Sequence, residues 1–217
     1  MTAPLPKIKY FSVKSELKKA VYLDPGLSEV IISCGYPMSR RKDPGISTLA
    51  NIINSQLLST QSASAIWRRF EIRCGGKVTP QKIIFLGKDA LRACGLSMRK
   101  AEYIFDLADS MLQGKVDIDS LATMEDSDVL SNLVSIRGIG LWSAEIYAMF
   151  ALGRRDLYPA RDLALQAAIQ KYVGLGSRPD ENFTLEFCKR WSPHRSAVAL
   201  LMWRYYGTTT LDSSPAC

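Results

Sequence analysis

Apolar residues recurring at three- and four-residue steps, cut off at intervals by glycine, constrain this chain more than any other feature of it. In ISTLANIINSQLLSTQSASAIWRRFEIRCGG, Leu49, Ile52, Ile53, Leu57 and Leu58, then Ala63, Ile66 and Phe70, keep that rhythm up to a Gly-Gly stop. This is the spacing of helices with one buried face, and the polar break NSQLLST separates two of them. Gly87 and Gly95 divide the next stretch into short helices, with Ser97 as the N-cap of one covering residues 100–111. Ser127 is expected to cap a helix running to Ser135, and LWSAEIYAMFAL forms another that ends at Gly153. A last helix falls over SPHRSAVALLMWRYYG, with Pro193 in its first turn and Gly207 at its exit. Alternating Val, Ile and Thr runs joined by Asn-Gly or Asp-Gly turns are absent. The expectation is an all-α protein of about nine or ten helices.

With 217 residues, 47% of them hydrophobic, the chain has material for a real core in one large domain or two small lobes. No apolar run approaches the roughly 20 residues that span a bilayer. The N-terminal stretch MTAPLPKIKYFSVKSELKK lacks the apolar segment of a secretory signal. No membrane association is therefore expected, and the expected location is intracellular: cytoplasm or nucleoid, or the nucleus in a eukaryote. Cys34, Cys74, Cys94, Cys188 and Cys217 are an odd, scattered set without CxxC spacing or neighbouring histidines. They point to free thiols rather than a disulfide framework or a zinc site. The formal charge of +7 suits a polyanionic partner such as nucleic acid, although charge alone does not single one out. No pattern marks an oligomer interface, and a monomer is expected.

The chemistry concentrates in IRGIGLWSAEIYAMFALGRRDLYPARDLALQAAIQ, residues 136–170. Gly138 and Gly140 fall between two helices, where positive φ and close approach of the backbone are available and no Cβ shields the amides. The second helix then begins with bare N–H groups at the positive end of its dipole, which suits a phosphate oxygen. An ordinary αα-corner favours glycine equally. Asp162 follows Pro159 and stands immediately before a helix-forming run, the place of an N-cap. The same geometry lets its carboxylate face a developing positive charge, and the two roles are compatible.

The segment LVSIRGIGLWSAEIYAMFALGRRDLYPARDLALQAAI resembles the helix-hairpin-helix glycine/proline/aspartate signature (HhH-GPD) of DNA glycosylases, closest to the 3-methyladenine DNA glycosylase II branch. IINSQLLSTQSASAI, CGLSMRKAEYIFDLA, SLATMEDSDVLSNL and WSPHRSAVALLMWR fit the same branch in order, so that the resemblance covers about residues 45–205. It implies a two-lobed helical bundle with an active-site cleft between the lobes. One HhH-GPD domain is expected over 1–217, with a central lobe of residues 45–155, its hairpin at 133–146, and a terminal lobe of residues 1–44 plus 156–217.

Carried over by residue, the resemblance makes Asp162 the catalytic carboxylate. Bifunctional relatives keep a lysine two positions after the second hairpin glycine. Trp142 stands there in this chain, so strand cleavage through a Schiff base is not expected. With only Cys188 and Cys217 near the C-terminus, no iron–sulfur cluster is expected, and no cofactor of any kind. The implied function is a monofunctional DNA-3-methyladenine glycosylase of base excision repair. It would remove 3-methyladenine and 7-methylguanine from double-stranded DNA by hydrolysing the N-glycosidic bond. A glycosylase for deaminated or oxidised bases and a non-catalytic helix-hairpin-helix DNA-binding protein remain as alternatives.

A base inside a duplex is out of reach and has to be extruded. By resemblance Leu57 is the wedge that fills the gap and Gln56 its neighbour against the gap or the opposite strand; leucine at this spacing also suits a core. A cationic base binds well against aromatic faces, which selects Trp142 and Tyr158 as pocket residues. Trp191, Trp203 and Tyr147 are expected in the core. The branch often carries a further aromatic where this chain has Ile146, which leaves pocket selectivity open. Gly138, Gly140 and Arg137 would hold the DNA backbone, with Lys100, Arg99 and the run Arg40 to Lys42 as further phosphate contacts. No side chains are expected to bind a metal; the hairpin backbone is a place for a monovalent cation. His194 is expected to be structural or on the surface.

Overall fold

The computed structural model describes residues 10–207, which contain eleven α-helices and no strand. In chain order they are α1 Val13–Leu23, α2 Leu27–Cys34, α3 Ile46–Ser55, α4 Thr60–Arg73, α5 Pro80–Ala93, α6 Met98–Leu112, α7 Asp126–Ser135, α8 Leu141–Phe150, α9 Leu163–Val173, α10 Glu181–Cys188 and α11 Arg195–Gly207. Short 3₁₀ turns occupy Ser120–Thr123 and Lys189–Trp191. No helix among the described residues is long and apolar enough to cross a membrane. Cys34, Cys74, Cys94 and Cys188 are buried free thiols, while Cys217 lies outside the described residues. No group of His, Cys, Asp or Glu side chains among the described residues is arranged to hold a metal ion.

The described residues hold eleven α-helices where about nine or ten are expected. Ser12, Ser59, Thr79, Ser97 and Asp180 each take a backbone N–H at the start of a helix, which lets short connections begin a new one. Two expected starts are corrected. Glu125, not Ser127, precedes α7, and no side chain caps it; Asp126 and Asp128 in the first turn supply negative charge to the helix dipole instead. The last helix starts at Arg195, beyond Pro193, because Asp156 takes the Arg195 N–H at 3.4 Å and its guanidinium at 2.7 and 3.0 Å.

The chain divides into two compact units, with breaks at 41/42 and 152/153. In the unit Lys42–Leu152, α3 packs on α4, α6 and α8, while α5 pairs with α6 and α7 with α8. Leu49, Ile53, Ile104, Leu133 and Tyr147 are wholly buried there. Each such side chain contributes about 1.5–3 kcal/mol by leaving water. Tyr147 satisfies its hydroxyl by accepting the Gly45 N–H at 2.9 Å, as a core tyrosine must.

In the second unit α11 is the central element, packed on α1, α2 and α9. Every residue from Ser196 to Met202 is buried, and a helix apolar on all sides is one enclosed by its neighbours. Trp191 is fully buried and donates from Nε1 to Asp24 Oδ2 at 2.8 Å. His194 is structural: its Nδ1 lies 2.6 Å from Oε2 of buried Glu16, which also takes Lys19 at 3.0 Å.

Candidate active site and nucleic-acid interface

In the unit Lys42–Leu152 the hairpin joins α7 to α8 through Ile136 to Gly140, closed by a bond from the Ile139 N–H to the Ile136 carbonyl at 3.0 Å. Gly138 needs to be glycine twice over. Its φ is +91°, and a Cβ would lie 2.3 Å from Cδ2 of Tyr103. Gly140 differs: at φ −88° any residue fits, and nothing stands within 4 Å of the missing Cβ. What Gly140 provides is openness, because it is the N-cap of α8 and no side chain caps that helix. The first-turn amides of α8 therefore present the positive end of the helix to an anion. Trp142 sits half-buried in that first turn, and Ile146 is buried one turn on.

Beside the hairpin, the turn between α3 and α4 carries Leu57 with φ +54° and its side chain fully exposed. A left-handed conformation costs a branched side chain roughly 1–2 kcal/mol. Exposure forgoes a further 1.5–3 kcal/mol or so of burial. Folding supplies no reason for either, so Leu57 is not a core leucine. Gln56 turns inward: its Nε2 donates to the Gly138 carbonyl at 2.9 Å and to Ser143 Oγ at 3.0 Å. Lys100 reaches the same turn, donating from Nζ to the carbonyls of Asn54 and Gln56 at 2.7 and 2.6 Å. Two of its three N–H groups are thus committed to protein, and burial pulls its pKa down.

Arg137 is exposed but paired, 3.1 Å from Asp106 and 3.8 Å from Glu102, and it lies 5.3 Å from the centre of the Tyr103 ring. Both acids belong to α6, so the guanidinium lies against that helix. Arg99 is exposed at the start of α6.

In the second unit Asp162 is the N-cap of α9. Its Oδ1 accepts the Ala164 and Leu165 N–H groups at 2.9 and 3.1 Å, which fixes the carboxylate in place. The approach is held by the Asp162 N–H on the Pro159 carbonyl at 2.9 Å and by Gln166 Nε2 on the Ala160 carbonyl at 2.8 Å. Asp162 is half-buried and within electrostatic reach of Arg40 and Tyr158. Tyr158 is buried against Trp191 at 5.7 Å, and its hydroxyl has no hydrogen-bond partner among the described residues. Burial pushes its phenol well above the usual range, and Cys188 and Asp162 add to the effect. Arg40 lies 5.3 Å from the centre of the Trp203 ring; burial pulls its pKa down while Asp162 supports its charge. Arg41 stacks at 3.7 Å on Tyr10.

Sequence reasoning singled out the hairpin, Leu57 and the Asp162 cap, but not Tyr103, Ser143 or the electrostatic influence of Asp162 on Arg40. The contacts of Gly138 with Tyr103 and of Gln56 with Ser143 join distant positions and leave no local pattern to read.

Residues 50–194 match the family described as HhH-GPD superfamily base excision DNA repair protein. A Bacillus subtilis protein, YfjP, is 38% identical over 125 residues, which are 58% of this chain and 44% of its own length. The chain therefore spans less than half of that curated relative. A solved structure of a DNA-3-methyladenine glycosidase from Bacillus halodurans is similar with a TM-score of 0.77 at 34% identity, over 92% of this chain and 93% of that one. The 3-methyladenine DNA glycosylase Mag1 of Schizosaccharomyces pombe, solved with abasic DNA, has a TM-score of 0.80 at 26% identity, over 93% of this chain and 99% of its own. By its sequence this chain belongs to the HhH-GPD superfamily of base excision DNA repair proteins.

Proposed function

We propose that this protein is a monofunctional DNA glycosylase that excises alkylated purines, 3-methyladenine and 7-methylguanine, from double-stranded DNA. The observation that carries the reading is Leu57: an apolar side chain fully exposed on a left-handed turn, tied through Gln56 to the glycine hairpin. A protein that only grips phosphate has no use for such a projection, whereas one that extrudes a base has to fill the gap. The uncapped start of α8 seats a phosphate beside it.

Excision breaks the bond from C1′ to the purine nitrogen. The electron pair leaves with the base, which an alkyl group has already made cationic, so no strong general acid is needed. Asp162 lends a fixed negative charge to the sugar as positive charge grows on it. The water oxygen then bonds to C1′ and its proton passes to the carboxylate. Trp142 offers a ring face to the cationic base. With tryptophan where bifunctional relatives carry lysine, no amine attacks C1′ and the strand is left intact.

Names of relatives agree: both solved structures cited above are called 3-methyladenine enzymes, and one holds abasic DNA. The test is incubation with duplexes that each carry one lesion, 7-methylguanine, hypoxanthine or 8-oxoguanine, followed by alkali cleavage of abasic sites. Release of 7-methylguanine, with cleavage only after alkali, supports the proposal. Release of hypoxanthine or 8-oxoguanine alone moves the target to deaminated or oxidised bases. Binding without any release leaves a DNA-gripping protein.

A further inference from the structure

Lys100 has an environment unlike that of a phosphate-binding lysine. A cation meant for DNA keeps its ammonium in solvent, but this one is drawn in from α6 to two backbone carbonyls, Asn54 at 2.7 Å and Gln56 at 2.6 Å, at the end of α3. Those carbonyls belong to the last turn of a helix, where intrahelical donors run out. The residue that follows them is Leu57, in a conformation that side-chain-bearing residues rarely adopt. Next to Lys100's contacts, the Gln56 amide reaches the Gly138 carbonyl and Ser143 Oγ. Ammonium, strained turn and hairpin thus form one chain of hydrogen bonds within a single unit.

We propose that Lys100 is a positioning residue: its ammonium clamps the carbonyls of Asn54 and Gln56 so that Leu57 stays pointed outward, and Gln56 locks that tip to the glycine hairpin. This rests on the reading of Leu57 as the inserted wedge. Its consequence is that wedge and phosphate seat meet DNA already in register, with no ordering left to do on contact.

A double-mutant cycle tests it, reading the preference for an abasic-site duplex over an intact duplex for wild type, Leu57→Ala, Lys100→Met and the double variant, with folding checked by thermal melting. Each single variant is expected to lower that preference about tenfold, and the double variant no further than about threefold below the worse single, because both act through one element. The slope of log affinity against log salt on intact duplex is expected to be unchanged by Lys100→Met. Independent, multiplying effects, or a slope smaller by about 0.9, the mark of one lost phosphate contact, overturn the assignment. If Leu57→Ala alone changes nothing, the wedge reading fails and the role of Lys100 falls with it; if Leu57→Ala has its effect and Lys100→Met has none, only the Lys100 inference fails. Should Lys100→Met not fold, Lys100→Arg, which keeps the charge but replaces the point donor with a planar fork, carries the same cycle.

Discussion

The space left by the absent side chain of Gly138 is filled by the ring of Tyr103, so close that a Cβ would stand 2.3 Å from Tyr103 Cδ2. Gly138→Ala then meets two penalties, the clash and a φ of +91°, and should destabilise the fold by about 3 kcal/mol in denaturant titration. Gly140→Ala meets neither, and its stability should stay within about 0.5 kcal/mol of wild type. Its methyl group instead stands at the mouth of the α8 amides, so affinity for duplex DNA should fall while the melting temperature does not. Equal loss of stability in the two variants would show that Gly140 serves the turn and not the ligand.

Leu57→Gly should separate stability from activity. Glycine accepts a φ of +54° without strain and removes an exposed leucine, so stability should rise by up to about 1 kcal/mol. Base release should fall, because nothing then fills the gap left by the extruded nucleotide. A more stable variant of undiminished activity would take Leu57 out of the mechanism.

Two ion pairs predict how the fold responds to acid. Burial pushes Glu16 up, but hydrogen bonds from Lys19 and His194 outweigh it and bring its pKa below the ordinary 4.5. Burial likewise pushes Asp156 up, and Arg195 and Ser192 bring it below 3.8. Carboxylates that titrate lower folded than unfolded contribute stability in full above the unfolded values and lose it as pH falls through the folded ones. The melting temperature should therefore hold steady from pH 7 to about pH 5 and drop below about pH 4. Asp156→Asn should cost about 1–3 kcal/mol at pH 7 and flatten that acid limb. An unaltered limb would assign the acid response elsewhere.

What the sequence made legible were features with a local period or a local cap. The rhythm of Leu49, Ile53 and Phe70, the cap at Ser97 and the place of Asp162 before α9 each follow from residues within a few positions of one another. Ser127 misled because serine is a good cap in general, while the acids at Asp126 and Asp128 already serve the start of α7. Pro193 misled because the start of α11 is set by Asp156, 39 residues earlier. The site divides in the same way. Leu57 stood out in a polar break, but Gln56 turns out to reach a carbonyl 82 residues away and Lys100 one 46 residues away. Arg137 and Lys100 read as phosphate contacts from the sequence, and their protein partners, Asp106 and the carbonyls of Asn54 and Gln56, come from elements that no pattern links to them.

The proposed chemistry depends on the Asp162 carboxylate acting on the sugar. Asparagine caps a helix as well as aspartate does, so Asp162→Asn removes the charge and leaves the start of α9 intact, with a stability change below about 1 kcal/mol. The decisive measurement is single-turnover release of 7-methylguanine from a duplex by this variant beside wild type, with affinity for an abasic-site duplex measured on the same preparations. Release is expected to slow by about 10²–10³-fold or more, with affinity within about threefold of wild type. Release within about tenfold of wild type would contradict the account.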